Sequence, residues 1–588
     1  MGNGMNSNGH SHLERISKPY IFSALCLCLT VLCETTAAAT YYTSPSGTGD
    51  GSTAQSPRAW NNATWVSPGD TVYLLDGSYG SWSTSKSGSA GSVITFAAVN
   101  QYGPKFTWVG VSHSYLSISG IDVNHPPANP PTYGETAMRL HGGSASALLT
   151  NITVSGCKIH GPTVGTGPCT ADLQLKWVRN VLIEDCEVYN GGPYNWESGS
   201  SAIQLDECEY VTVRGCHIYN FLCGGIRTGS GHNYTFEYNR IHDQRYDLLP
   251  GIHGSGISIH SQATTIRGNV VYDCGNTNSI RFYQQWAGDD GYHDMLVENN
   301  VFFETGTARI PYNPPMFIDL GANCVFRNNT FQKGVQMYLA KNATGSGLSI
   351  YNNLFMGGFG LDNYGALATQ TAEQAFSRWR NVSEGGNIFR NLHAAGNGFQ
   401  VNRTSFSETS TSLVLTSGAS WAVGTMFASA TGEYPYQLAE GSPAIGLANP
   451  NHAPSTDLLG RARSVSTPDA GCYEYGMTSR GSSLALTSIG NQNVAVGATL
   501  TLHITSTGSE SNSLEYSATP LPSGAKFSEQ TFTWAPTASD VGTHQVTFTV
   551  SDGSAQDSET ITITVSRPNA APILGGIGNK SVNENQTL

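Results

Sequence analysis

Apolar and polar positions alternate along most of this chain in short runs with a period of two, the pattern of half-buried strands rather than of amphipathic helices. The runs also recur as a unit. Ile152–Ile159, Val181–Val188, Val211–Ile218, Tyr234–Ile241, Thr264–Val271, Met295–Phe302, Cys324–Phe331 and Leu348–Phe355 share one layout. Each has alternating apolar residues, then a two-residue polar turn, then a further apolar position. A weaker unit, Leu116–Val123, lies upstream, and Gly385–Phe389 reads as the last. A repeat of this kind predicts a solenoid, in which stacked coils bury a core that no single coil could bury alone.

The sixth residue of each unit forms one column: Cys157, Cys186, Cys216, Asn239, Asn269, Asn300, Asn329 and Asn353, separated by 29, 30, 23, 30, 31, 29 and 24 residues. With coils about 4.8 Å apart, an Asn at this turn is expected to adopt left-handed backbone angles and to bond the Asn of the next coil. The three Cys are expected to be small interior fillers, with at most one stacked disulfide among them.

A further strand precedes each unit: Met138–His141, Leu173–Lys176, Ile203–Asp206, Ile226–Gly229, Ile257–His260 and Ile280–Tyr283. Period two turns the first and third residues of each inward and the second and fourth outward. One outward ladder then reads Arg139, Gln174, Gln204, Arg227, Ser258, Arg281. The other reads His141, Lys176, Asp206, Gly229, His260, Tyr283. Six of these side chains can carry positive charge, on a chain with only 29 Lys plus Arg. Gly229 is expected to leave a gap between Asp206 and His260, about 10 Å apart over two coils.

From about residue 480 the pattern changes to strands with frequent turn signals. Val494–Leu502, Leu521–Phe527, Thr533–Pro536 and Asp540–Phe548 predict a β-sandwich over 480–566, and 567–588 reads as the start of a second one. At the other end, Arg15 and Lys18 precede an apolar run, Tyr20–Cys33, and then the small residues Ala37–Ala39. That is the layout of a secretory signal peptide spanning 1–39, so export is expected. The run is short for a membrane span, and no later segment is longer.

Composition agrees with an all-β chain: charged residues are 12% and Gly counts 67. The formal charge of −13 disfavours nucleic acid, whose phosphates require a basic face, but leaves an anionic sugar open because a groove can be locally basic. Nine of the twelve Cys lie beyond the signal segment, without zinc-ligand spacing.

The repeat resembles the right-handed parallel β-helix superfamily typified by pectate lyases, over residues 40–476. The opening segments Tyr41–Asp50 and Ser67–Tyr79, and the closing ones Asp457–Arg461 and Asp469–Glu474, are similar to the first and last coils of such proteins. The tail resembles bacterial immunoglobulin-like repeats. The expected architecture is therefore a right-handed parallel β-helix followed by an Ig-like sandwich.

The resemblance implies an extracellular polysaccharide as partner and a monomer as the working unit, but one fold hosts several reactions. Eliminating a uronic acid needs a cation at the carboxylate and a base for the C5 proton. Arg227 or Arg281 suits the first task, and Lys176 or His260 suits the second. Lys176, Arg227 and His260 are therefore the catalytic candidates. Arg139, His141, Gln174, Gln204, Asp206, Arg281 and Tyr283 are the substrate-binding ones.

Calcium, which related lyases use, would fall on the acidic loop Gly288–Asp294. The rival is a glycoside hydrolase, which needs two carboxyls at roughly 5–9.5 Å; Asp172 and Asp206 on this face would stand about 13 Å apart. A third reading is a non-catalytic glycan-binding surface protein. An exposed aromatic ladder would favour it, and only scattered rings such as Trp177, Trp196 and Trp286 occur.

Overall fold

The computed structural model describes residues 38–125, 135–161, 169–190, 201–245, 254–274, 278–282, 292–305, 316–320, 322–339, 347–363, 383–392, 412–415, 418–432, 434–476, 485–486, 489–507, 514–528, 530–551, 556–567 and 581–587. The expected signal segment and most of the second sandwich lie outside them. No helix among the described residues is long and apolar enough to cross a membrane.

Each repeat makes one three-sided coil. A front strand such as Ser201–Asp206 turns into a back strand, Cys208–Arg214, and then into a three-residue side strand, His217–Tyr219. All pairing between coils is parallel. The back strands form a 14-stranded sheet; the front and side strands belong to a 21-stranded sheet, joined by Leu354–Asn363, which runs through both series. The inward positions of all three faces fill one continuous core, from Val72 and Trp82 at one end to Phe359 and Phe389 at the other. On the side strands the central residues Phe302, Phe331, Phe355 and Phe389 stack face to face at 5.1, 5.3 and 5.0 Å.

The Asn column forms as expected, with its backbone role displaced by one residue. Left-handed angles belong to the preceding residue: Asp185, Tyr238, Asn299, Asn328 and Asn352 have φ of 51°, 56°, 55°, 53° and 61°, and Gly156, Gly215 and Gly268 occupy the same place. That corner turns the sixth side chain inward. The Oδ1 of Asn300 accepts from the backbone N and the Nδ2 of Asn269, at 2.8 and 3.0 Å. Its Nδ2 donates to Oδ1 of Asn329 and to the carbonyls of Ile266 and Glu298. The same pattern runs from Asn239 to Asn387, which closes onto Ser412. Cys157, Cys186 and Cys216 continue the column as buried free thiols, so the stacked disulfide is absent there.

Residues 444–475 do not form another coil; they run back along the corner between back and side strands. Arg463, fully enclosed, donates to Asn299 Oδ1, to the Gly471 carbonyl and to Glu474. Asn328 donates to the carbonyls of Asp469 and Gly471, and the Tyr351 ring stacks on His452.

The Ig-like segment has a four-stranded sheet facing a three-stranded one, around Phe532, Trp534, Val546, Phe548, Ile561 and Ile563.

Asn300 sits mid-ladder with no exposed surface. Replacing it by Ala strands partners on three coils, so Asn300→Ala is expected to destabilise the solenoid by about 1–3 kcal/mol or more. The denaturant midpoint measures this, and a shift of a few tenths would refute the ladder's role.

Candidate functional site

The register of the front strands produces the two outward ladders. Arg139 lies directly opposite Gln174, Gln174 opposite Gln204, Gln204 opposite Arg227, Arg227 opposite Ser258, and Ser258 opposite Arg281. In the second ladder His141 pairs with Lys176, and Lys176 with Asp206. The inward partners Leu173, Leu175, Ile203, Leu205, Ile226 and Ile257 are fully buried, so the alternation holds. Tyr283 lies outside the described residues, as do residues 288–291 of the acidic loop and Trp196 and Trp286.

At the centre the geometry departs from expectation in two respects. The space over Gly229 is not a gap: a Cβ there would meet Asp206 Oδ1 at 2.2 Å, so the Asp206 carboxylate occupies it. His260 is buried rather than outward in solvent. It follows the last strand residue, Ile259, and its backbone N donates to Thr228 Oγ1 at 2.8 Å. Its Nε2 lies 3.1 Å from Ser258 Oγ.

Charge at this centre is set by burial and by the arginines. Burial, and then the positive charges of Arg227 and Arg281, pull the His260 imidazole down to about 3, so it is unprotonated at neutral pH. Burial raises the Asp206 carboxyl above the usual range, opposed by a 2.8 Å bond from Gln204 Nε2 and by the charges of Arg227 and Lys176. Arg227 thus acts on both neighbours at once.

The rim of the face carries a group that the sequence did not reveal. Lys176 Nζ lies 3.6 Å from Glu207 Oε1 and 4.5 Å from the centroid of the Trp177 ring, while Trp177 Nε1 donates to Glu207 Oε2 at 2.8 Å. Trp177 and Glu207 both have left-handed backbones, φ 54° and 52°, where the front strands turn into the back strands. His141 packs against the same indole, ring centroids 5.0 Å apart. Burial first, then Arg139 and Lys176, lower the proton affinity of His141.

Asp172, the other carboxyl counted on this face, has no exposed surface, and neither oxygen makes a hydrogen bond of full geometry, the Gly161 backbone lying near. It therefore cannot act with Asp206 as an accessible hydrolytic pair. Burial raises its carboxyl well above the usual range, with a backbone contact from Gly161 opposing weakly. Further buried polar atoms lack partners on or beside the front strands: Arg139 Nε, Gln204 Oε1, Ser201 Oγ and Ser279 Oγ. Native structures leave few such atoms, and a concentration of them marks a place where water or a ligand completes the bonding. Among the described residues no three His, Cys, Asp or Glu side chains converge on a common ion position.

Residues 136–286 and 201–378 match the family model described as "Right handed beta helix region", and residues 483–566 match "Putative Ig domain". The chain therefore carries a right-handed parallel β-helix followed by an Ig-like domain. No curated protein matches it. Among solved structures it is similar to an alginate lyase from Paenibacillus sp. str. FPU-7, at 16% identity over 59% of this chain and 99% of that one, with a TM-score of 0.33. It is similar to a PL6 family polysaccharide lyase from Pseudopedobacter saltans, at 14% identity over 58% and 84%, TM-score 0.36. It is also similar to the catalytic unit of a GH87 α-1,3-glucanase from Streptomyces thermodiastaticus strain HF3-3, at 14% identity over 65% and 69%, TM-score 0.36. Likeness at this level leaves reaction and substrate open.

The buried Asp172 carboxyl has a testable consequence. Because its folded-state proton affinity exceeds the unfolded value of about 3.9, its penalty is absent at low pH and grows as pH rises toward the folded value. Asp172→Asn is expected to flatten this slope, so that the variant gains in Tm over the parent between about pH 4 and pH 8. Parallel Tm curves for the two proteins across that range would contradict the assignment.

Proposed function

We propose that this chain is an exported polysaccharide lyase, acting as a monomer on a uronic-acid polymer that lies along the front face. The observation that carries the reading is the placement of Arg227, at the centre of the outward ladder with its charge reaching both Asp206 and His260. In β-elimination a base takes the C5 proton of a uronate, and the electron pair spreads into the carboxylate as an enolate. The C4–O4 bond then breaks, leaving a C4–C5 double bond and a departing alcohol that takes up a proton. The step needs fixed positive charge beside the carboxylate and an unprotonated acceptor on the C5 side.

Arg227 and Arg281, two coils apart, supply the charge on this reading, with His260 lying between their strands. His260 and Lys176 are the two candidates to take the proton, and His260, though buried, is unprotonated at neutral pH. An imidazole held near 3 is a weak base. A bound carboxylate offsets the arginine charge that, after burial, holds it there, so substrate itself raises the proton affinity of His260. Lys176, held by Glu207 and Trp177, adds charge at the rim. Arg139, His141, Gln174, Gln204 and Asp206 face the remaining sugars. Calcium adding to the arginine charge would appear as loss of rate on chelation.

The experiment is incubation of the purified chain with a panel of polyuronates, following the ultraviolet absorbance of the unsaturated product. Arg227→Ala is expected to lower kcat/KM by about 10²–10³-fold with the fold intact, and Arg227→Lys to restore part of it. New reducing ends without the unsaturated chromophore would replace the lyase with a hydrolase. Binding without cleavage of any polymer would leave a glycan-binding protein.

A further inference from the structure

On the outer surface of the side strands, away from the front face, two imidazoles converge. His217 opens one side strand and His242 closes the next, Arg240–His242. The register pairs His217 with Arg240 and Tyr219 with His242, so the two histidines meet on the diagonal. Their Nε2 atoms are 2.7 Å apart. The Nδ1 of His242 lies 2.9 Å from Asp243 Oδ2, which fixes the ring and directs its Nε2 at His217. His242 is buried, its ring between Tyr219 and Tyr272 in a stack that runs along the solenoid, whereas His217 is exposed, with its ring tilted against Tyr219 at 4.6 Å.

We infer that His217 and His242 form a binding site for a divalent transition-metal ion that prefers imidazole, copper(II) first, with zinc(II) and nickel(II) behind it. The preference follows the Irving–Williams order for nitrogen ligands. Two imidazole nitrogens, each about 2.0–2.1 Å from one ion, stand about 2.9 Å apart at the right angle of tetragonal copper(II) and about 3.3 Å apart on a tetrahedral ion, so the hydrogen-bonded pair at 2.7 Å need open by well under an ångström to admit it. A carboxylate on the remote nitrogen is the usual second partner of a metal-bound histidine, and Asp243 already holds that place. No third imidazole or carboxylate closes on the same point among the described residues, so water completes the coordination.

The charges facing His217 are those of His242, Glu187, Arg240 and Asp243. Glu187 is engaged by the Tyr219 hydroxyl at 2.6 Å and by Lys158 at 3.1 Å. Arg240, a cation beside the pair that would oppose a metal, lies over the Tyr272 ring and donates to its hydroxyl. An ion so placed ties one coil to the next across the outer surface of the side strands.

The test is titration of the untagged full chain with copper(II) against a chelating dye, beside His217→Ala and the double variant His217→Ala/His242→Ala. One equivalent more is expected on the parent than on either variant. A Tm rise with copper is expected in the parent alone, and release of the ion on acidification, because protonated imidazoles cannot ligate. Asp243→Asn is expected to weaken binding about 10–100-fold without abolishing it. Equal stoichiometry in parent and variants, or a Tm rise of the same size in all three, would overturn the site. None of these readings depends on cleavage of a polymer, so they stand or fall apart from the lyase proposal.

Discussion

Everything on the outside of this solenoid depends on a hydrogen-bonded column on the inside. At each corner between back and side strands an Asn side chain reproduces the bonding of a peptide group. It accepts from the coil before it and donates to the coil after it, from Asn239 to Asn387. A slip of one residue would break this chain of bonds on both neighbouring coils and turn every apolar position outward. The ladder therefore holds successive coils in strict register, and register is what places side chains from distant parts of the sequence in straight columns on each face.

The same register serves different ends on different faces. On the back face the outward column alternates in sign: Glu184, Arg214, Glu237, Arg267, Glu298 and Arg327. Arg214 meets Glu184 at 2.5 Å, Arg267 meets both Glu237 and Glu298, and Arg327 meets Glu298 at 2.6 Å. Each charge there has its opposite one strand spacing away, which leaves little for a ligand to satisfy. The front face stacks Arg139, Arg227 and Arg281 among neutral partners and leaves Gln204 Oε1 and Arg139 Nε buried without a bond. Two faces of one fold, built on one repeat, thus differ in how their charges are paired: within the back column, and not within the front one.

The repeat made the fold legible from the sequence, because stacking converts a recurring segment into a column whatever the chemistry of the loops between. Both outward ladders could be read for the same reason, and their strand-to-strand pairing matches residue for residue as far as it extends. Left-handed angles were expected at the Asn itself; the residue before it carries them, because the corner must turn before the side chain can point inward. The burial of His260 and Asp172 could not be read from alternation, which says which way a side chain leaves the strand and nothing of what covers it afterward. Nor could the Glu207–Trp177 hold on Lys176, which rests on turn geometry. The contacts of Arg463 with Asn299, 164 residues apart, follow from a tail that folds back rather than continuing the repeat.

The front face also explains why a base so weak in the empty protein can serve the proposed reaction. Arg227 and Arg281, on alternate coils, raise one another's cost, since a fixed strand spacing holds their charges at one separation and the ladder forbids them to move apart. His260, between the strands of Arg227 and Arg281, has its proton affinity lowered first by burial and then by the same field. On the proposed reading, an acidic polymer laid along the face offsets the arginine part of both effects with one set of contacts: each carboxylate that meets an arginine lessens the repulsion and the field at the imidazole together, while the share due to burial remains. On this account substrate binding and proton affinity are linked, so the acceptor gains strength only when there is a proton beside it to take. A neutral glycan would cancel neither, which makes the charge of the polymer, rather than the shape of its sugars, the first discriminator at this face.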